Sequence, residues 1–183
     1  MRAGASLDDL RRLAADIRLL LLDVDGVMTD GGIVLVGANA EAKRFDVHDG
    51  IGVAMARAAG IKVGIVTSRS SAVVERRARE LSMDEVVQGA GNKLDALDGL
   101  LRKHTIAASQ TAYIGDDVQD VPIMRRVGIA IAVQNAMPVA KESSVYVTAA
   151  CGGYGAVREA VEWLLELRGE KDKAYHSLLN REQ

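Results

Sequence analysis

The stretch Leu19-Leu20-Leu21-Leu22-Asp23-Val24-Asp25-Gly26-Val27-Met28-Thr29-Asp30 decides the fold. Four consecutive leucines read as a strand buried on both faces. The run stops at two carboxylates, Asp23 and Asp25, followed by a glycine. In an open parallel sheet, ligands bind beyond the carboxyl ends of the strands. The two acids therefore stand at the mouth of a crevice. Their i, i+2 spacing turns both side chains to similar sides if the extended geometry persists. Like charges that close call for a divalent cation or a shared proton. Asp and Gly are also common turn residues, so a strand followed by an Asp-rich turn is the plain alternative.

On the N-terminal side, Leu7, Leu10, Leu13 and Ile17 recur at helical spacing behind Ser6, a good N-cap, and predict a short amphipathic helix within residues 1–18. On the other side, 31–36 and 42–47 are two β-like runs joined by the small, polar segment 37–41, and predict a hairpin over 31–47. The first of these strands is apolar on both faces. An isolated hairpin is marginally stable, so this one is expected to pack on something, such as another subunit.

Beyond it, strands and helices alternate. A helix starts after Asp49-Gly50 and ends at Gly60, and the strand 61–66 runs into Thr67-Ser68-Arg69. An Arg-rich helix over 71–81, a short strand over 85–87 and a helix over 92–104 follow. The strand 111–114 runs into Gly115-Asp116-Asp117, ahead of a helix over 119–126 and the strand 129–133. A helical turn over 137–142, a strand over 145–147 and a helix stopped by Gly169 complete the order, with a charged, mobile tail over 170–183. This alternation predicts right-handed βαβ units in an α/β fold, a doubly wound, Rossmann-like parallel sheet in one domain spanning 1–183.

Composition bounds the function. The 183 residues suffice for a substantial core, and a formal charge of -2 with 3% aromatics argues against a nucleic-acid partner. The lone cysteine, Cys151, fits a reducing compartment, and no apolar run has membrane-spanning length. A cytoplasmic protein with no membrane partner is expected.

The strand ends gather a constellation: Asp23 and Asp25, then Thr67, Ser68 and Arg69, then Asp116 and Asp117 with Asp120 one turn on, and Lys93 at a helix start. Several acids, a hydroxyl and a lysine suggest phosphoryl chemistry with Mg²⁺, because hard carboxylate oxygens suit that ion and it binds phosphate. No Cys/His cluster suggests zinc, and Gly89-Ala90-Gly91-Asn92-Lys93 lacks the spacing of a nucleotide-binding glycine loop. One aspartate would attack phosphorus, and the other would protonate the leaving oxygen and then activate water. Lys93 would neutralise phosphoryl charge and Thr67 would donate to a phosphate oxygen. Bland readings stand beside these. Thr67 could cap the next helix, Lys93 could be a surface lysine, and Asp116-Asp117 could favour a helix N-terminus.

The order Asp-x-Asp-Gly-Val, Thr, Lys, Gly-Asp-Asp-x-x-Asp resembles the haloacid dehalogenase superfamily of phosphotransferases. The resemblance implies Asp23 as nucleophile, Asp25 as acid/base, and Asp23, the backbone carbonyl of Asp25, and Asp116 as Mg²⁺ ligands. Only the hairpin and one helix lie between Asp30 and Lys62, so the chain resembles a member without a cap domain. Thr29-Asp30-Gly31, the hairpin, Phe45-Asp46-Val47-His48-Asp49-Gly50 and Gly152-Gly153-Tyr154-Gly155-Ala156-Val157-Arg158-Glu159 are similar to the 3-deoxy-D-manno-octulosonate 8-phosphate phosphatase family. That likeness implies a homotetramer with shared sites, a sugar-acid phosphate substrate in lipopolysaccharide sugar biosynthesis, and substrate contacts from Asp25, Asp46, Val47, His48, Asp49, Gly50, Arg69, Arg77 and Lys93. An Arg fork suits the carboxylate of an α-keto sugar acid. Ser68 stands where many relatives carry glycine, and His48 and Ala54 where relatives often carry basic residues.

Two substrate sizes remain open at this point, eight-carbon and nine-carbon keto-acid phosphates. A phospho-Asp receiver domain shares the sheet, the acids, the Thr and the Lys. Asp25 argues against it, because a base beside the phosphoenzyme would empty it quickly. A catalytically silent scaffold is the third reading, against which the intact acids stand.

Overall fold

The computed structural model describes residues 6–36 and 40–180. Helix α1 (Leu7–Ala15) leads into β1 (Leu19–Leu22), whose four leucines are fully buried. Ser6 caps α1, its side-chain oxygen accepting from the Asp9 N–H at 3.2 Å.

The main sheet has six strands, all parallel, in the order β5-β4-β1-β6-β7-β8. The flanking strands are β4 (Lys62–Val66), β5 (Glu85–Val87), β6 (Thr111–Gly115), β7 (Ile129–Ala132) and β8 (Tyr146–Val147). Leu19 pairs with Lys62 on one side and with Thr111 on the other, so β1 is central. The chain runs outward from β1 in one direction, then returns and runs outward in the other. The topological switch therefore falls beside β1, where α/β sheets place ligands.

Two helix groups cover the sheet. Helices α2 (Val47–Ala58), α7 (Ala156–Arg168) and α8 (Lys171–Leu179) pack with α1, and α4 (Lys93–His104) packs with α5 (Val121–Arg126). Helices α3 (Ala72–Glu80) and α6 (Pro138–Glu142) complete the connections. Gly169 ends α7 at a φ of +66°, as its sequence position predicts. No helix among the described residues is long and apolar enough to cross a membrane.

The hairpin is real but shorter than its sequence pattern suggests. It pairs β2 (Val34–Val36) with β3 (Ala40–Ala42), Val34 opposite Ala42. Residues 37–39 of its expected connection lie outside the described residues. The expected second strand over 42–47 is displaced, because Asp46 is the N-cap of α2 and accepts from the His48 N–H at 2.8 Å. The alternation Phe45-Asp46-Val47 mimics a strand, but an aspartate that satisfies an orphan helix N–H starts a helix there instead. The segment between β1 and α2 holds only this hairpin and its flanks, so no cap domain is present among the described residues.

The charged C-terminal segment is not a mobile tail. Residues 171–179 form α8, which buries Ala174 and packs on α2 and α7. Tyr175 Oη donates to Glu162 Oε1 at 2.7 Å, and Lys171 Nζ lies 3.2 Å from Glu162 Oε2. Charges that read as solvated in sequence pair with α7. Residues 181–183 lie outside the described residues.

Candidate active site

The site is built at the C-terminal ends of β1, β4 and β6. The Asp23 N–H still donates to the Ile114 carbonyl at 3.0 Å, which carries the strand pairing up to the first acid. The chain then turns tightly, with the N–H groups of Met28 and Thr29 both donating to the Val24 carbonyl. Gly26 sits in this turn at a φ of +101°, and a Cβ there would lie 2.1 Å from Asp116 Oδ2. Only glycine lets the Asp116 carboxylate rest against the first loop.

Lys93, the first residue of α4, is almost fully buried. Its ammonium donates to Asp23 Oδ1 and to Asp120 Oδ1, both at 2.7 Å. A buried lysine needs such partners, and this one is not a surface lysine. Burial works against its charge, but the two carboxylates overcome this and raise its pKa above the ordinary value. Tyr113 Oη, fully buried, also donates to Asp120 Oδ1 at 2.5 Å. Asp120 Oδ2 accepts from the N–H groups of Asp116 and Asp117 at 2.9 and 3.2 Å. Both oxygens of Asp120 are thus spent on holding Lys93 and the 115–117 turn.

One oxygen each from Asp23, Asp116 and Asp120 fits within a 4.8 Å cluster able to hold a cation. Burial, followed by the Asp120 charge, pushes the Asp23 carboxyl above its usual range despite Lys93. Burial, followed by the Asp23 and Asp120 charges, pushes Asp116 up as well. Partly desolvated acids that repel one another are a donor set suited to a hard divalent ion. With Asp120 already occupied by four donors, Asp23 and Asp116 are the side chains available to it.

Thr67 is buried at the end of β4, and its Oγ1 accepts from the Arg69 N–H at 3.3 Å. It does not cap α3, since Ser71 does so through the Val74 N–H. Arg69 Nε stands 3.5 Å from Asp25 Oδ2. A cavity of about 140 Å³ is lined by Asp23, Asp25, Thr67, Ser68, Arg69, Lys93, Asp116, Asp117, Gln119 and Asp120. That space suits a phosphoryl group and is smaller than the roughly 300 Å³ at which pockets begin to enclose larger ligands.

The structure therefore brings Asp23, Asp25, Thr67, Arg69, Lys93 and Asp116 together. It places Asp46, Val47, His48, Asp49, Gly50 and Arg77 outside this cavity. Val47 and His48 are exposed on the first turn of α2. Asp49 is buried, its Oδ1 accepting from the Arg158 N–H at the start of α7 at 2.9 Å, and burial pushes its pKa up to about 6. Arg77 reaches the Asp46 carbonyl at 3.4 Å and lies over the Phe45 ring.

The sequence motif contains Asp120 without assigning it a role, and neither Tyr113 nor Lys43 belongs to any motif in the chain. The Gly-Asp-Asp-x-x-Asp spacing could have singled out Asp120. Nothing local marks the other two. Lys43 follows β3, and its buried side chain donates to Asp25 Oδ1.

Residues 80–155 match the family model of haloacid dehalogenase-like hydrolases. The chain is 42% identical to 3-deoxy-D-manno-octulosonate 8-phosphate phosphatase of Escherichia coli, over 94% of this chain and 96% of that protein. Among solved structures, it is similar to a haloacid dehalogenase superfamily hydrolase from Legionella pneumophila, with a TM-score of 0.90, 35% identity, and coverage of 95% of this chain and 96% of the other. It is also similar to 3-deoxy-D-manno-octulosonate 8-phosphate phosphatase from Moraxella catarrhalis, solved with a magnesium ion, a phosphate ion and the sugar acid. There the TM-score is 0.89 at 39% identity, covering 94% of this chain and 99% of that one. With the motif order, the sheet and this degree of identity in agreement, the chain belongs to the haloacid dehalogenase superfamily and, within it, to the 3-deoxy-D-manno-octulosonate 8-phosphate phosphatase family.

Proposed function

We propose that this protein is a Mg²⁺-dependent phosphomonoesterase that hydrolyses 3-deoxy-D-manno-octulosonate 8-phosphate, serving lipopolysaccharide sugar biosynthesis in the cytoplasm. The observation that carries this reading is the buried Asp23–Lys93–Asp120 chain beside Asp116, opening on a phosphate-sized cavity. Identity to the family over nearly the whole chain supports the substrate.

An Asp23 oxygen attacks phosphorus as the bond to the sugar oxygen breaks, and Asp25 delivers a proton to that oxygen. Asp25 then takes a proton from water, which attacks the same phosphorus. The bond to Asp23 breaks, releasing inorganic phosphate. Lys93 holds Asp23 in place and offsets phosphoryl charge, and Thr67 donates to a phosphoryl oxygen. Asp23, Asp116 and the Asp25 carbonyl would hold Mg²⁺, which supplies further charge neutralisation at the phosphoryl oxygens when bound.

The cavity is of a size to take the phosphate, and the sugar would project outward from it. A homotetramer would close over it. Ile33, Val34, Leu35 and Val36 are all exposed on the hairpin, Leu35 at 76%, and Val47 and Ile51 add to the apolar surface. Such a ribbon favours burial against copies of itself. Neighbouring subunits would then bring Asp46, Val47, His48 and Arg77 to the sugar acid, with Arg69 at the cavity mouth, while the buried Asp49 and Gly50 would support that segment from behind.

Phosphate release measured across eight-carbon and nine-carbon keto-acid phosphates tests the substrate, with Asp23→Asn as the control. The expected result is preference for the eight-carbon ester and no turnover by the variant. Near-normal turnover by Asp23→Asn would remove Asp23 as nucleophile, and a nine-carbon preference would reassign the substrate.

A further inference from the structure

Four charged side chains form a ring beside the cavity. Lys43 Nζ donates to Asp25 Oδ1 and lies 3.8 Å from Glu41 Oε1. Arg69 Nε is 3.5 Å from Asp25 Oδ2, and Arg69 Nη2 donates to Glu41 Oε2 at 2.9 Å. Acid and base alternate around the ring, and its formal charge is zero. The Lys43 side chain is 1% exposed, against 44% for Arg69. Asp25 and Arg69 line the cavity, whereas Lys43 does not. Lys43 thus addresses Asp25 from behind, out of reach of a ligand in the cavity.

Burying an ammonium is costly unless a charged partner receives it. The chain accepts that cost at the foot of the hairpin, where a solvent-facing lysine would have been easy. Asp25 stands in a glycine turn, where a short side chain would otherwise sample several orientations.

We propose that Lys43 is a positioning residue for Asp25. The hairpin supplies, within its own chain, a buried cationic prop that fixes the carboxylate's orientation, so hairpin placement becomes a condition of turnover. This rests on the reading of Asp25 as the acid/base, and the experiment separates the two claims.

The probe is p-nitrophenyl phosphate with the full-length protein and Mg²⁺. Its phenolate leaves without protonation, so forming the phosphoenzyme does not require Asp25, whereas water attack on it does. The variants are Lys43→Met and the charge-balanced Lys43→Met/Glu41→Gln, which keeps the ring neutral if the single change unfolds the hairpin. Rapid-mixing kinetics should show the first phase retained within threefold of the parent. Steady-state turnover should fall about 30- to 100-fold, so that a burst of one p-nitrophenolate per site appears, because a misplaced catalytic group costs up to about 10²-fold. A hairpin anchor with no catalytic role would lower both phases together, and that outcome, or no change in either, overturns the proposal. A rise in KM alone would make Lys43 a binding residue and also overturn it. Asp25→Asn shows which claim has failed. If it produces no burst, the acid/base assignment falls and takes this inference with it. If it produces one and the Lys43 variants do not, only the role of Lys43 falls.

Discussion

Gly152 lies directly against Gly26: a Cβ on Gly152 would stand 1.7 Å from the Gly26 carbonyl oxygen. The loop ahead of α7 thereby presses on the turn that carries both acids, and the Gly153 N–H fastens it through the Val27 carbonyl at 2.9 Å. Backbone meets backbone here, so no side chain can move aside. Gly152→Ala is expected to lower stability by about 2–3 kcal/mol, at the upper end of overpacking costs. Phosphatase turnover should fall with it, since the acids ride on the displaced turn. A denaturant midpoint and kcat equal to the parent's would show that the contact is not a clamp.

Asp120→Asn should be costly despite its shape. Both Asp120 oxygens accept, Oδ1 from Lys93 and Tyr113 and Oδ2 from the 116 and 117 N–H groups. An amide must turn its NH₂ toward one of these donor sets, leaving buried donors opposed. Stability is expected to drop by about 1–3 kcal/mol. A fall in kcat of about 10- to 100-fold should accompany it, as for other groups that orient a metal site. Steady-state kinetics with a Mg²⁺ titration reads both effects, and unchanged values would leave Asp120 without a positioning role.

Without metal, stability should fall as pH rises. Asp49 at about 6 and Asp116 at about 8, both raised chiefly by burial, bind protons more tightly folded than unfolded. The ordinary value is about 4, so the folded state holds the extra protons between there and about 8, and stability decreases across that window. Mg²⁺ favours the ionised cluster and should flatten the slope above pH 6. Thermal melts from pH 5 to 8.5, with chelator and with Mg²⁺, give the comparison. A metal-free melting temperature that climbs through this range contradicts the assignment. In the same samples, chelation should stop phosphate release and added Mg²⁺ should restore it.

Leu35→Asp together with Val34→Asp should dissociate the proposed tetramer. Both residues are exposed on β2, and charges there oppose burial against another copy. Sedimentation should report smaller species, and KM for the sugar-acid phosphate should rise while Mg²⁺ binding persists. A parent protein that sediments as a fully active monomer would end the shared-site reading.

Much of this architecture is local and was legible in the chain. A run such as Leu19–Leu22 has no stable place except a doubly covered strand, and the acids after it must then emerge at a sheet edge. Gly60 and Gly169 stop helices because their backbone conformation suits few other residues. The motif order placed Asp23, Asp25, Thr67, Lys93 and Asp116 at one edge because βαβ handedness allows few alternatives.

Tertiary structure decided what depends on partners far along the chain. Asp46 looked like a strand residue until its role as the α2 cap was visible, and α8 looked like a solvated tail until Glu162 supplied its partner. Lys43 meets Asp25 across 18 residues, and Lys93 meets Asp23 across 70. A lysine's charge is the same in either setting. Whether it is solvated or buried against a carboxylate depends on which surfaces the fold brings together, and no local pattern encodes that.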